Sequence, residues 1–489
     1  MRQSLLFLIF IACLPTQAQR STGEIRLTVT DAAGAPLGAA GEITSQSNQV
    51  QLRFETGPDG AYNAKNLPFG PYRITLQRRQ FAPLSQSVEI HSQAPIELSL
   101  QMEIAPASTS VIVEDASTLL DPSRTGTVHY IGQETIRERR ATVPSRSMLE
   151  LVETQPGWLL EANGVLHPRG SEYSTQYVID GIPLTDNRSP AFAPPLDPED
   201  LQSMNVFTAN FPAEYGRRLG GVVEVTTLRE NESGFHGRAA LQSGSLGTRN
   251  SYFAGQYVQG KTAASLSAQA GETDRYLDSP VEENYTNHGF LTGISGRLER
   301  DLSDADRLRF YVHRRQTGFL VPNEADQQEA GQRQDRRGYE SMGQATWQRV
   351  LSATSVLNIR GMLRDVGSEL WSNRLSTPII AEQDRGFREG YLNGGISVSS
   401  GRHEWKAGAE WIAASVREDF GYHITDVAEL EDGDEFPPEF RFAGRAQSRE
   451  VSAYLQDLIR LGKWTISAGL RFDRYRFLVK DTAWSPRLG

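Results

Sequence analysis

Beyond Ser233 the chain repeats a short alternating strand pattern, and the connectors between strands are by turns short and long. We predict eleven strands, at about 236–244, 250–258, 262–270, 289–299, 306–315, 341–349, 354–364, 389–399, 403–414, 449–459 and 463–475. The long connectors fall near 271–288, 316–340, 365–388 and 415–448. Tight turns at one end and long loops at the other are typical of a membrane-spanning β-barrel. A soluble β-sandwich has no reason to place all its long loops at one end.

The predicted strands separate apolar and polar side chains onto opposite faces. Within 403–414, Trp405 and Trp411 alternate with Lys406 and Glu410. Period two with one apolar face fits any half-buried strand. A charged opposite face, with aromatic residues near the strand ends, favours a lipid-facing wall around a wet lumen.

Residues 1–18 are predicted to be a secretory signal peptide. A basic Arg2 precedes an apolar run at 5–14, and the small Ala18 suits cleavage after it. The surroundings of Cys13 loosely resemble a lipoprotein processing site, and lipidation is the less favoured alternative. Because Cys13 is the only cysteine, we expect the mature chain to have no disulfide.

The charge balance and the histidine pattern exclude several classes of function. The chain carries 60 Asp and Glu against 50 Lys and Arg, a formal net charge of −10. This balance, without a basic stripe interleaved with aromatic residues, argues against a nucleic-acid partner. The eight histidines are scattered without zinc-ligand spacing, so we expect no metal site, no cofactor and no catalytic residues.

Residues 19–103 form a separate small unit. Short alternating strands separated by Gly, Pro and Asp turns predict a β-sandwich of about seven strands. Asp59-Gly60 and the run from Leu67 to Tyr72 resemble the carboxypeptidase regulatory-like domain. The resemblance implies no peptidase activity, and our preferred interpretation is a periplasmic spacer.

Residues 123–230 carry the most specific motif series. We predict a mixed α/β unit with a helix around 145–155 and strands at 176–179, 203–208 and 222–227. The series includes Pro168-Arg169-Gly170, Val178-Ile179-Asp180-Gly181, Asp197-Pro198-Glu199-Asp200, Glu214-Tyr215-Gly216 and Gly220-Gly221-Val222. In order, spacing and residue type it resembles the plug domain of TonB-dependent outer-membrane receptors. Together with the sandwich unit, it is most similar to the Oar-like branch.

The resemblance implies a mostly β chain with a sandwich, a plug and, over 231–489, about half of a 22-stranded antiparallel transmembrane barrel. Bacterial single-chain barrels have an even number of strands. Because we predict eleven, we expect the chain to be C-terminally truncated. The plug strands hold enough Val, Ile and Leu that we also expect residues 104–230 to fold alone as a soluble unit.

The resemblance assigns structural and electrostatic roles to the plug signature. Its residues are Arg169, Gly170, Asp180, Gly181, Glu214, Tyr215, Gly216, Gly220 and Gly221. The glycines suit positions where strands bend or where the backbone passes close to a wall. The charges Arg169, Glu214 and Arg217 are expected to pair with lumen-facing residues. Candidates are Arg309, Arg360, Glu410 and Arg471. Ordinary solvated turn charges are the alternative.

The linker at 104–122 contains a short β-branched run made of Ser110, Val111, Ile112, Val113 and Glu114. Such a run can add as a strand to the exposed sheet edge of a partner. It resembles the TonB box, which implies coupling to a TonB-type periplasmic protein. A last strand of the sandwich is the alternative.

Two loops are candidates for ligand contact. By resemblance the plug apex faces the extracellular vestibule, and its candidate residues are Asp186, Asn187, Arg188 and Phe192. The acidic stretch 426–439 has the chemistry to bind a hard cation, although a solvated loop is preferred. The ligand could be a small molecule, an oligosaccharide or a peptide.

The resulting hypothesis is a non-enzymatic receptor in the lipid of a Gram-negative outer membrane, with its N-terminal unit in the periplasm. It would import an extracellular ligand as its plug is remodelled. A passive porin-like or adhesin barrel and an extracellular carbohydrate-binding protein are the alternatives. The plug signature argues against both.

Overall fold

The computed structural model describes residues 22–46, 48–90, 92–104, 125, 127–138, 147–161, 165–169, 175–184, 196, 198–208, 211–216, 220–229, 233–426, 437–462 and 464–489. The predicted signal peptide and the predicted TonB box at 110–114 lie outside these residues. Within the described ranges, no helix is long and apolar enough to cross a membrane.

The N-terminal unit is a sandwich of two sheets. Its strands are β1 (Thr22–Asp31), β2 (Ala40–Ser45), β3 (Val50–Glu55), β4 (Ala61–Pro68), β5 (Gly70–Gln77), β6 (Leu84–Ile90) and β7 (Ile96–Met102). They pair in the orders β4-β1-β7 and β3-β2-β5-β6. Alternating side chains such as Ile25 and Leu27 from one sheet meet Ile43 and Ile74 from the other in a shared core. The predicted seven-stranded sandwich is confirmed.

The second unit is a small mixed α/β plug. Its elements are β8 (Val128–Ile131), α1 (Gln133–Glu138), α2 (Ser147–Glu153), β9 (Trp158–Leu160), β10 (Leu166–Pro168), β11 (Thr175–Ile179), β12 (Ile182–Pro183), a 3₁₀ turn (Pro198–Asp200), β13 (Leu201–Phe207) and β14 (Gly221–Thr227). Five strands form one sheet in the order β12-β11-β14-β13-β8, with β11 and β14 parallel. The predicted helix and three predicted strands are present. Two-residue and three-residue strands such as β12 and β9 are too short to leave a periodic signal.

The remaining strands form one twelve-stranded sheet in chain order. They are β15 (Gly234–Ser243), β16 (Arg249–Gln259), β17 (Thr262–Thr273), β18 (Gly289–Asp301), β19 (Asp306–Leu320), β20 (Gln334–Ser352), β21 (Ser355–Ser372), β22 (Ile379–Ser400), β23 (His403–Ile424), β24 (Glu439–Leu461), β25 (Trp464–Arg476) and β26 (Lys480–Leu488). A short helix α3 (Ala325–Glu329) lies between β19 and β20. All neighbouring strands are antiparallel, which agrees with the predicted partial barrel.

Several strands are much longer than predicted, and this corrects the predicted loops. β23 has 22 residues and β24 has 23, so most of the predicted connector 415–448 is strand among the described residues. The hairpin of β23 and β24 continues past the predicted strand ends through backbone pairing and cross-strand ion pairs, such as Arg441 on β24 with Asp419 on β23 at 3.3 Å. The alternation continues into these ends, where Phe420 and Tyr422 on β23 pack against Phe440 and Phe442 on β24, so the predicted loop was wrong although the period-two signal was present. The sheet also has a twelfth strand, β26, beyond the eleven that were predicted.

The two faces of the large sheet differ as the alternation predicts. Leu363, Leu392 and Trp411 project outward, and Leu363 keeps 75% of its surface exposed. The opposite face carries buried polar residues such as Arg360 and Asn393. The plug lies against this inner face, because its core forms one cluster with wall residues. Those wall residues are Tyr311, Met342, Met362, Tyr391 and Ile412.

Candidate functional site: the interface between plug and wall

A single buried carboxylate joins the plug to four neighbouring strands of the wall. The 3₁₀ turn places Asp200 against the inner face, where only 2% of its surface is exposed. Its Oδ1 accepts hydrogen bonds from the Tyr252 hydroxyl at 2.9 Å and from Ser267 Oγ at 2.8 Å. Its Oδ2 accepts from Ser295 Oγ and from Arg315 Nη2, both at 3.2 Å. The partners lie on β16, β17, β18 and β19 in turn.

Asp200 is held in its charged form by this environment. Burial raises the pKa of the carboxyl group, but Arg297, Arg315 and the hydrogen bonds from Ser267 and Tyr252 together lower it more. The net pKa lies below the ordinary value for an aspartate. A buried charge is tolerated only when it is paired and hydrogen-bonded. Asp200 therefore acts as a fixed electrostatic anchor between plug and wall.

Glu199, the residue before Asp200, contacts the first strand of the large sheet. Arg238, on β15, forms an ion pair with the carboxylate of Glu199. Its Nη2 also donates to the backbone carbonyl of Glu199 at 2.6 Å, and the guanidinium lies 5.4 Å from the centre of the Tyr252 ring. Glu199 and Asp200 together contact five consecutive strands.

Asp180 and Gly181 of the plug signature form the tight turn between β11 and β12. Both residues have positive φ, 51° and 79°, as a two-residue hairpin turn of type I′ requires and as Asp-Gly favours. The Asp180 carboxylate accepts hydrogen bonds from Thr227 Oγ1 at 2.7 Å and from Arg229 Nη2 at 3.1 Å. Arg229 also lies 3.6 Å from Glu299 on β18, so this turn is tied to the wall as well.

Two signature glycines allow arginines of the wall to approach the plug backbone. A Cβ at Gly216 would lie 2.3 Å from Arg471 Nε, and a Cβ at Gly181 would lie 3.0 Å from Arg360 Cζ. Arg471 Nη1 donates to the backbone carbonyl of Glu214 at 2.8 Å. Inside the plug, a Cβ at Gly221 would lie 2.4 Å from the Trp158 ring. Gly216 and Gly181 therefore lie close to wall side chains, whereas Gly221 lies close to a ring of the plug itself.

The predicted ion pairs between plug and wall are only partly correct. The Glu214 carboxylate does reach the wall, but there it pairs with Lys406, at 3.5 Å, which was not among the candidates. Arg471 pairs with Glu410, and Arg309 pairs with Glu299 at 2.9 Å, so these are contacts within the wall. Sequence alternation predicts which side chains face the lumen. It does not predict which of them meet.

The other signature residues serve the plug itself. The Arg169 backbone has a φ of 50°, and its N–H donates to the Gly157 carbonyl at 2.7 Å. The Tyr215 ring packs 5.4 Å from the Phe207 ring, and Gly220 directly precedes β14. Gly170 and Arg217 lie outside the described residues.

A second buried polar cluster lies on the wall beside the plug core, and sequence analysis did not single it out. The Glu340 carboxylate accepts a hydrogen bond from Arg364 Nη2 at 2.6 Å and also contacts His313 Nε2. Arg364 lies 3.7 Å from Glu389 on the next strand. His313 and Glu340 belong to the polar rows of their strands, and this is the only signal in the sequence. The pairing depends on strand register.

The predicted ligand residues Asp186, Asn187, Arg188 and Phe192 lie outside the described residues, as does most of the acidic stretch 426–439. In the part of the chain that the structure describes, no group of three or more His, Cys, Asp or Glu residues is arranged to hold a metal ion. Asp200, Glu199 and Arg229 were missed as contacts with the wall. The Asp-Pro-Glu-Asp run of the plug signature was the available signal for the first two.

Comparison with known proteins agrees with this architecture. The family model described as TonB dependent receptor-like, beta-barrel, matches residues 231–489. The model of the carboxypeptidase regulatory-like domain matches residues 24–103. A curated relative, the TonB-dependent transporter Oar of Myxococcus xanthus, is 29% identical over 230 residues, which cover 45% of this chain and 21% of that protein. The chain therefore spans about a fifth of the length of this relative.

Solved structures share the fold. The siderophore receptor PirA from Acinetobacter baumannii matches with a TM-score of 0.57 at 16% identity, over 74% of this chain and 58% of that one. The ferric citrate transporter FecA in its unliganded form matches with a TM-score of 0.59 at 16% identity, over 74% of this chain and 60% of that one. At such identities the likeness concerns the fold alone.

Proposed function

The chain belongs to the TonB-dependent receptor family, and from this premise we propose that it is an outer-membrane receptor that imports an extracellular ligand. The plug occupies the inner face of the barrel wall and moves when a TonB-type periplasmic protein pulls on the linker. No reaction is catalysed. The units are a signal peptide at 1–18, the sandwich at 19–103, the linker at 104–122, the plug at 123–230 and the barrel from 231.

The contact of Asp200 with four wall strands is the observation that carries the proposal. A plug that must stay in place and then move needs an interface of directional, exchangeable contacts. Hydrogen bonds and ion pairs meet this need, because water can replace each of them when the plug shifts. The apolar part of the interface is shared, because wall residues such as Tyr311 and Met342 belong to the plug core cluster and Tyr454 packs against Ala213.

The ligand is proposed only as a class. A small molecule, an oligosaccharide and a peptide all remain consistent with the plug and the sheet. Contact is expected at the plug apex, through Asp186, Asn187, Arg188 and Phe192. PirA and FecA are named for siderophores and ferric citrate. Those names describe the ligands of those proteins.

The coupling segment is proposed to be the run from Ser110 to Glu114, and substitution by proline tests it. Val111→Pro or Ile112→Pro removes a backbone donor and disfavours strand addition to a partner. We expect either variant to abolish energised movement of the plug and to leave the barrel assembled. Thr118→Pro, in the same linker but outside the run, is the matched control.

Movement of the plug can be measured without knowing the ligand. Ser203 is buried in β13, and Ser203→Cys provides a thiol in a chain whose only cysteine is Cys13. In cells that grow in native medium, a maleimide should label this thiol only while the proton gradient is maintained. The proline variants should label as poorly as cells treated with a protonophore. Equal labelling in all variants, together with ion conductance in planar bilayers, would instead support the passive porin-like alternative.

A further inference from the structure

The sandwich docks on the end of the barrel that carries the tight turns. Lys65 Nζ lies 2.6 Å from Asp301 Oδ2, and Arg26 Nη2 donates to the Asp304 carbonyl at 2.8 Å. Asp301 ends β18, and Asp304 lies in the turn that leads to β19. These two contacts hold the sandwich to the rim of the wall.

A buried ion pair also lies in this interface. Glu24 Oε2 lies 2.9 Å from Arg307 Nη1, and both residues are almost fully buried. Burial raises the pKa of the Glu24 carboxyl, but Arg307 and Arg26 lower it more, so its pKa is below the ordinary value. A buried ion pair of this kind demands good geometry and defines one docked position.

The docked sandwich also contacts the plug. Arg229 Nη1 donates to Asn66 Oδ1 at 2.7 Å, while its Nη2 donates to Asp180 at 3.1 Å. One guanidinium therefore binds the sandwich and the signature turn of the plug at once. A second contact joins Gln49 Oε1 to the hydroxyl of Thr135 in α1 at 2.7 Å.

The chemistry of this interface allows separation. The core cluster of the sandwich consists only of its own residues, whereas the plug core includes wall residues. Polar groups make the contacts above, and a charged cavity of about 610 Å³ lies between sandwich, plug and wall. Polar, wet interfaces resemble those of units that move relative to one another. The sandwich can leave without exposing its core.

We propose that the sandwich is a detachable latch, which closes the periplasmic mouth of the barrel and must undock before the plug moves. The proposal rests on the proposed function, because it concerns the same movement. The linker 104–122 joins the sandwich to the plug, so a pull on it acts on both units. While Arg229 is bonded to the docked Asn66, the Asp180 turn stays attached to both the sandwich and the rim.

A cross-link tests whether undocking is required. Lys65 is replaced by the photo-reactive residue p-benzoylphenylalanine in the full-length protein that carries Ser203→Cys. Irradiation should join position 65 to the rim near Asp301, as peptide mass spectrometry can verify. The matched control has the same residue in place of Glu42, which pairs with Arg53 on the adjacent strand of the sandwich.

We expect the cross-linked fraction to lose gradient-dependent labelling of Ser203→Cys, down to the level seen with a protonophore. Unirradiated cells and the position 42 control should keep it. Normal labelling of the cross-linked fraction, or failure of position 65 to reach the rim, would overturn the latch alone. Absence of gradient-dependent labelling in unirradiated cells would overturn the proposed function and the latch with it.

A weakened latch should have the opposite effect. Asn66 has a φ of 58°, a conformation that glycine adopts freely, so Asn66→Gly removes the acceptor of Arg229 without straining the backbone. At a partly collapsed gradient we expect labelling of Ser203→Cys to rise by about tenfold, which corresponds to one lost hydrogen bond to a charged group. Asn373→Gly, in the loop between β21 and β22 at the other end of the barrel, should change nothing. Unchanged labelling in Asn66→Gly would contradict the role of this contact.

Discussion

At the scale of single residues, Gly216 is a signature position where an added methyl group would disturb the contact between plug and wall. A Cβ there would lie 2.3 Å from Arg471 Nε and would push the guanidinium away from the Glu214 carbonyl. We expect Gly216→Ala to weaken the free energy of plug binding to the wall by about 1.5–3 kcal/mol, the usual range for a hydrogen bond to a charged group. The urea concentration at which Ser203→Cys becomes reactive measures this cost. Gly237→Ala, whose Cβ would meet nothing closer than 3.6 Å, should match the parent chain.

Asp200 is the second residue at which a single group, its carboxylate, holds the plug against the wall. Asp200→Asn leaves the buried Arg315 and the half-buried Arg297 without their carboxylate, and removing one partner of a buried ion pair typically costs about 3–5 kcal/mol. The plug should then become reactive at much lower urea in the same assay. Asp274→Asn is the control, because Asp274 pairs with His288 at the surface, where ion pairs are worth about 0–1 kcal/mol. Equal urea midpoints for the two variants would refute the anchoring role of Asp200.

At the scale of elements, the outward rows of the long strands should tolerate charge only outside the apolar band. Leu363 lies on β21 in the middle of such a row and is highly exposed. We expect Leu363→Arg to destabilise the barrel in lipid by about 2–4 kcal/mol, the range for arginine at the bilayer midplane. Leu375→Arg, in the exposed loop after β21, should be nearly neutral. Folding into lipid vesicles, followed by heat-dependent gel mobility, measures the difference.

At the scale of the whole molecule, the sandwich and the plug depend on the barrel to different degrees. The core of the sandwich consists only of its own residues, whereas Tyr311, Met342 and Met362 of the wall complete the core of the plug. Residues 22–104 expressed alone should unfold in one cooperative thermal transition. Residues 104–230 expressed alone should show a broad, weakly cooperative transition, contrary to the independent folding suggested by their Val, Ile and Leu content. A sharp transition in the plug fragment would mean that the wall residues are dispensable.

The features that could be predicted are those with a local cause. Alternation with period two marks the central parts of the barrel strands, as with Trp405 and Trp411 on β23. The Asp180-Gly181 pair marks a hairpin turn because few residues adopt positive φ twice in succession. The far ends of β23 and β24 were missed although they also alternate, with Phe420 and Phe440 on one face and Asp419 and Arg441 on the other.

The sequence alone therefore determined the class of this protein: a sandwich, a plug and a sheet with one lipid-facing side, each recorded in nearby residues. Only the tertiary structure decided which charges meet. Arg229 and Asn66 are 163 positions apart, and Asp200 and Arg315 are 115 apart. Such pairs depend on strand register and on how separate units dock. Periodicity along the chain carries no information about either, because many buried arginines and carboxylates share the same lumen-facing rows.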